Sequence, residues 1–154
     1  MKRKLGGFTL IELMVVVALA AIMASLAAPS FRSFVSGQRI KTAASDFVMA
    51  AIFARSEAIK RNADVTITPV TSSATGWKDG WTVAAGTTQL SQQQAYNGVT
   101  FSGPASAITY NSTGRLSATV TTMTITGTDG SARCVAFDLS GLPRSSKSSS
   151  GTCP

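Results

Sequence analysis

The stretch GGFTLIELMVVVALAAIMA, Gly6 to Ala24, contains one ionisable side chain, Glu12, in an otherwise unbroken apolar run. A carboxylate at the centre of a bilayer costs roughly 2.5–3.5 kcal/mol on insertion scales. A segment that served only as an anchor would have no reason to carry it. The flanks narrow the problem. Lys2, Arg3 and Lys4 precede the run, and the small residues Ser25, Leu26 and Ala27 close it.

Two readings of residues 1–28 follow from these features alone. A basic start, an apolar run and small residues near Ala27 fit a secretory signal peptide that is cut and lost. Phe8 to Ala28 is also close to the ~20 residues that span a bilayer, with positive charge on the cytoplasmic side. Neither reading uses Gly6-Gly7 or Glu12.

A third reading uses both. A short basic leader ending in Gly6-Gly7, followed by Phe8-Thr9-Leu10-Ile11-Glu12, resembles the class III signal of type IV pilins and type II secretion pseudopilins. The resemblance implies cleavage by a prepilin peptidase between Gly7 and Phe8, and methylation of the new amine on Phe8. It also implies a role for Glu12. In a filament, its carboxylate would pair with the Phe8 amine of a neighbouring subunit. Pairing offsets the burial of two charges, and an unpaired acid is penalised, so the pair fixes the register between subunits.

The helix is expected to continue past the membrane. Ile40, Ala44, Phe47, Val48, Ala51, Ala54 and Ala58 recur at spacings of three and four, one apolar face of an amphipathic helix. Arg39, Lys41, Arg55, Lys60 and Arg61 fall on the other face, read as a solvated surface. Pro29 and Gly37 are weak points, the first a place for a kink. Asn62 and Ala63 end the pattern. From Thr9 to Arg61 this makes about 80 Å of helix at the standard rise per residue.

After Asp64 the period changes to two. DVTITPV alternates as a half-buried strand should. GVTFSG, SAITYN, TTMTITG and ARCVAFDLS supply further short strands, and NSTGRL and TGTDGS read as turns. In GWKDGWTVAAG, Gly76 and Gly80 bracket a turn between Trp77 and Trp81, which are read as core rather than as a stacking platform for a ligand. The tail SSKSSSG is small and polar, and is expected to be mobile except at Cys153.

The stretch ARSEAIKRNADVTI, Ala54 to Ile67, together with the Gly-Trp pair, resembles the GspH/FimT/FimU minor pilins in particular. The implied fold is α+β: a long N-terminal helix, half membrane and half amphipathic, packed on a small antiparallel sheet. The implied divisions are a leader (1–7), a transmembrane or filament-core helix (8–29) and a periplasmic head (30–154), the head comprising helix 30–62 and a β-rich part, 64–154.

Composition excludes most chemistry. The chain has 154 residues and no His, so no Ser-His-Asp or Cys-His set exists. Two Cys do not make a zinc site, and no metal or cofactor is expected. The acids are scattered, and no phosphate-binding glycine loop of the GxxxxGK[ST] type is present. The chain does not read as an enzyme. In an exported protein, Cys134 and Cys153 most simply form one disulfide. Closing that loop contributes roughly 3 kcal/mol by chain entropy. Two free thiols are the alternative.

The net charge is +7, of which Lys2, Arg3 and Lys4 supply three, leaving +4 on the rest. A basic surface favours acidic partners. FimT-like members of the subfamily carry a Gly-Arg-x-Arg motif that binds DNA in natural transformation. In DLSGLPRSSK, Gly141 and Arg144 match that motif, but Leu142 stands where its first Arg would be, with Lys147 nearby. Arg144 and Lys147 are therefore the candidate DNA contacts, weighed against an ordinary solvated turn before the disulfide.

The implied function is that of a minor pilin in a priming or tip complex of a type IV pilus. Its partners would be other pilins, the prepilin peptidase and the inner-membrane assembly platform. The alternatives are a GspH-type pseudopilin of a type II secretion system and a DNA-binding minor pilin.

Overall fold

A computed structural model describes residues 8–138, 140–148, 151 and 153. The leader 1–7, including Gly7, lies outside the described residues, as do Leu139, Ser149, Ser150, Thr152 and Pro154. The chain divides into two compact units, Met1–Phe34 and Val35–Pro154.

Helix α1 (Leu10–Arg61) contributes to both units and contains Pro29. In the first unit it begins at a cap. The Thr9 hydroxyl accepts from the Glu12 N–H at 3.3 Å, and the Thr9 carbonyl accepts from the Leu13 N–H at 3.2 Å. Side-chain capping of this kind satisfies a donor that the first turn otherwise leaves open. Every residue from 8 to 34 is exposed within the chain, including Leu10, Ile11, Val16, Leu19 and Ile22. The segment is long and apolar enough to cross a membrane.

In the second unit α1 buries Ser36, Ile40, Ala43, Ala44, Phe47, Ala51, Ala54, Glu57 and Ala58. All the expected apolar-face residues are in this set except Val48, which is half-buried. Most are alanines, which let strands approach closely, and Phe47 supplies the bulk. The helix ends in a Schellman arrangement. Asn62 takes φ 50°, its N–H reaches the Ile59 carbonyl, and the Ala63 N–H reaches that of Ala58. Asn tolerates the left-handed region better than most residues, which makes it a natural stop here.

Eight strands follow: β1 (Val65–Pro69), β2 (Trp81–Ala85), β3 (Thr88–Gln93), β4 (Val99–Ser102), β5 (Ile108–Tyr110), β6 (Met123–Gly127), β7 (Ala132–Phe137) and β8 (Pro143–Lys147). They form two four-stranded antiparallel sheets, ordered β3-β2-β1-β5 and β4-β6-β7-β8. The expected single small sheet is thus two, sharing one core with α1. Phe47 stands edge-on to both Trp77 and Trp81, ring centroids 5.3 Å apart in each case. Trp77 lies in a 3-10 turn (Gly76–Asp79) and donates its indole N–H to the Pro104 carbonyl at 2.8 Å. Gly80 ends that turn at φ 100°, where a Cβ would lie 2.2 Å from the Gln93 carbonyl oxygen.

Two strands depart from the expectation. β3 has no apolar alternation. β8 includes Ser145, Ser146 and Lys147, part of the small polar stretch expected to be mobile. Both are edge strands. Their ladder bonds come from the backbone, so polar side chains are no obstacle to pairing.

Candidate functional site

The assembly candidates lie at the start of α1. Phe8 is 79% exposed, and Glu12 lies in the first helical turn, where the N-terminal dipole favours an anion. Glu12 is the one ionisable residue between Phe8 and Phe31. Among the described residues, no cation pairs with its carboxylate within the chain. An acid on an exposed apolar helix with no internal partner is available to a cation from elsewhere.

The C-terminal candidates are positioned by β7 and β8. Cys134 on β7 is joined to Cys153, with Cα atoms 5.6 Å apart. Arg144 and Lys147 lie on β8 rather than on a loop, opposite Ala136 and Arg133 respectively. Their separation is odd, so they project from opposite faces of the strand. The Arg144 guanidinium lies 3.9 Å from Asp138 Oδ2, with the Arg side chain 79% exposed. Lys147 instead shares its face with Arg133, whose Nη1 donates to Ser145 Oγ at 3.1 Å.

The matched glycine has a structural reason of its own. Asp138 Oδ1 accepts from the Ser140 N–H, the Ser140 hydroxyl and the Leu142 N–H, which closes a tight turn over 138–142. The Ser140 hydroxyl and the Leu142 N–H are the main forces holding its carboxyl below the usual range. Gly141 takes φ 82° in that turn, and its carbonyl accepts the buried Tyr110 hydroxyl at 2.8 Å. Leu142 is 43% exposed.

Two of the helix cations, Lys60 and Arg61, have a local partner. Arg61 Nε lies 2.6 Å from Glu57 Oε2, and Lys60 Nζ lies 3.3 Å from Glu57 Oε1. The Arg61 hydrogen bond is the main cause of the lowered Glu57 pKa.

The sequence matches the family of the type II transport protein GspH over residues 43–141, more than half of the chain. The chain belongs to the GspH family. A prokaryotic N-terminal methylation motif matches residues 2–28. Two crystal structures of the type IV minor pilin FimU from Pseudomonas aeruginosa resemble this GspH-family chain, both at 21% identity. One has a TM-score of 0.58 and covers 74% of this chain, the other 0.60 and 79%, each with 96% of FimU covered. The minor pseudopilin EpsH from the type 2 secretion system of Vibrio cholerae matches with a TM-score of 0.55 at 16% identity, covering 71% of this chain and 97% of EpsH. Among curated proteins there is no match.

Family and fold together make this a pilin-type subunit, a minor pilin or pseudopilin, which is a structural component and not an enzyme. The apolar N-terminal helix and the methylation motif go with membrane anchoring and incorporation into a pilus or pseudopilus, where other pilins are the partners.

Sequence reasoning missed three contributors. Thr9 caps the helix, and its Thr-x-x-Glu spacing to Glu12 was a legible signal. Arg133 joins Lys147 only through strand register. Asp138 organises the motif turn, signalled by an Asp three residues before a Gly.

Proposed function

We propose that this chain is cut between Gly7 and Phe8 and enters a filament as a minor pilin, with its head in the periplasm, in a complex that primes type IV pilus assembly. One observation carries the reading: Glu12 is the one ionisable residue between Phe8 and Phe31, on the exposed apolar part of α1, and has no cation partner among the described residues. Pairing with the Phe8 amine of a neighbouring subunit gives that acid a purpose. The partners are prepilin peptidase, other pilins and the inner-membrane platform. FimU, a type IV minor pilin, supports this choice by its similar fold.

EpsH has a similar fold and belongs to a type 2 secretion system, so a pseudopilin role is the second reading. Genomic neighbours, whether pilus or secretion genes, discriminate between the two. Mass spectrometry of the mature N-terminus tests the processing. A methylated chain beginning at Phe8 supports the proposal, whereas a start near Ala28 makes the first segment an ordinary signal peptide and removes it.

A further inference from the structure

The chain enters its second unit at Val35. Ser36 there donates to Asp129 in the β6–β7 turn. The Arg39 guanidinium lies over Gly98, just before β4, where a Cβ would stand 2.5 Å from Nη1. Gly127, which ends β6, faces Ile40. Lys41 follows Arg39 by two residues, about 200° around the helix, and so stands on the opposite flank of α1. Arg133, the second residue of β7, pairs directly with Lys147, the last residue of β8. The chain-entry end of this unit thus gathers cations from one helix and two strands.

Arg39, Lys41 and Lys147 are exposed and Arg133 is half-buried. Among the described residues, none of the four enters an ion pair. The ion pairs join Lys60 and Arg61 to Glu57, Lys78 to Asp79 and Arg144 to Asp138. The nearby acids are engaged by hydroxyls: Asp129 by Ser36 and Ser131, and Asp46 by Tyr96. Like charges directly opposite on a ladder, as Arg133 and Lys147 are, destabilise it. An anion beside them removes that repulsion.

The covalent chain sets what lies next to this end. The helix leading into it is long and apolar enough to cross a membrane, and Phe31 and Phe34 near the junction are exposed. Arg39 follows Phe34 by five residues, so it cannot lie further from it than about 18 Å. The headgroup layer is about 5–8 Å thick on each side of a bilayer. The attraction of anionic lipids for Lys and Arg reaches about 10 Å further.

We propose that this end docks on the membrane that holds α1, with Arg39, Lys41, Arg133 and Lys147 receiving the phosphates of anionic lipid headgroups. The proposal rests on membrane anchoring of the chain. The contact holds the head against the bilayer until the subunit is drawn into a filament. It is an attraction of cations for phosphate, so it follows lipid charge and weakens with salt.

The test uses the full-length chain reconstituted in vesicles of phosphatidylcholine, with or without phosphatidylglycerol. The photo-crosslinker p-benzoylphenylalanine stands at Thr128 in the β6–β7 turn or, separately, at Ala63 beyond the far end of α1. Mass spectrometry reads the lipid adducts, and flotation reads anchoring. The Thr128 adduct is expected to be severalfold higher with phosphatidylglycerol and to fall at high salt, with little adduct from Ala63. Arg39→Gln with Lys41→Gln and Arg133→Gln is expected to lower it to the phosphatidylcholine level, whereas Arg39→Lys with Arg133→Lys retains it. A chain that fails to float overturns the anchoring and this proposal together. A chain that floats but gives equal Thr128 adducts in both vesicles, or equal adducts from Thr128 and Ala63, overturns the docking alone. An adduct that the glutamine variant leaves unchanged overturns the assigned residues. Loss of the adduct on adding inorganic phosphate at constant ionic strength, or duplex DNA, overturns lipid as the occupant.

Discussion

The Ser36 hydroxyl donates to Asp129 Oδ1 at 2.7 Å, joining a buried position on α1 to the β6–β7 turn across 93 residues of sequence. The same carboxylate oxygen accepts from the Ser131 hydroxyl at 2.7 Å and from the Ser131 N–H at 3.2 Å. Gly127 permits the approach, since a Cβ there would lie 2.3 Å from the Ser36 hydroxyl oxygen. One acid thus holds both its own hairpin and the helix beside it.

This clasp has a pH dependence. The Ser131 hydroxyl first, and Ser36 second, hold the Asp129 carboxyl below its ordinary value. A folded pKa below the unfolded one contributes stability above the unfolded value and loses it as pH falls. Denaturation of the detergent-solubilised chain is therefore expected to show stability falling below about pH 4, with a shallower fall in Asp129→Asn. Ser36→Ala is expected to cost about 1 kcal/mol at neutral pH. An unchanged acid limb in Asp129→Asn would place the dependence on other carboxylates.

Phe47 is fully buried and meets Trp77, Trp81 and Phe137 edge-on. Phe47→Ala leaves a cavity where α1 meets both sheets, and is expected to cost about 3–5 kcal/mol. Chemical denaturation of the same preparation measures it. Loss below about 1 kcal/mol would mean that the core repacks around the gap.

Glu12→Ala is expected to be inserted in the membrane and cleaved, yet poorly incorporated into filaments. Immunoblots of membrane and sheared-filament fractions read this directly. Normal incorporation would show that the acid does not hold the register between subunits.

The C-terminal cations make a separate demand on DNA binding. Arg144 and Lys147 project from opposite faces of β8, and Lys60 and Arg61 are engaged by Glu57. If duplex DNA binds at low salt, Arg144→Ala with Lys147→Ala is expected to weaken it more than Lys60→Ala with Arg61→Ala. The log–log salt slope should fall by about 0.9 for each lost phosphate contact. Leu142→Arg adds a guanidinium two residues from Arg144, at a position 43% exposed, and is expected to tighten binding. Anisotropy titrations at several salt concentrations decide it. Equal losses from strand and helix variants would leave β8 as a structural edge.

How much was legible in the chain differs from element to element. The apolar run around Glu12, the helical face from Ile40 to Ala58 and the stop at Asn62 are local patterns. Each repeats at the period of its own element, or marks its end by a residue type suited to an unusual φ, so the linear order of residues is enough to find them. The alternating strands β1, β4, β6 and β7 were legible for the same reason: one face of each is buried, and burial selects apolar side chains at every second position. β3 and β8 had no such mark. An edge strand is held by backbone ladders that any residue can supply, so TQLSQQ and PRSSK carry no strand signal until β2 and β7 are seen beside them.

What the sequence alone determined is therefore the membrane-type helix, its lone acid, the amphipathic half and the pilin-type succession of helix then strands. The tertiary structure decided the rest: the division into two sheets, the placing of Arg144 and Lys147 on opposite faces, and the union of Ser36 with Asp129. Each of these depends on which distant segments become neighbours. That choice is made by the packing of the whole core and the pairing of backbone groups, which leave no periodic trace in the segments they join.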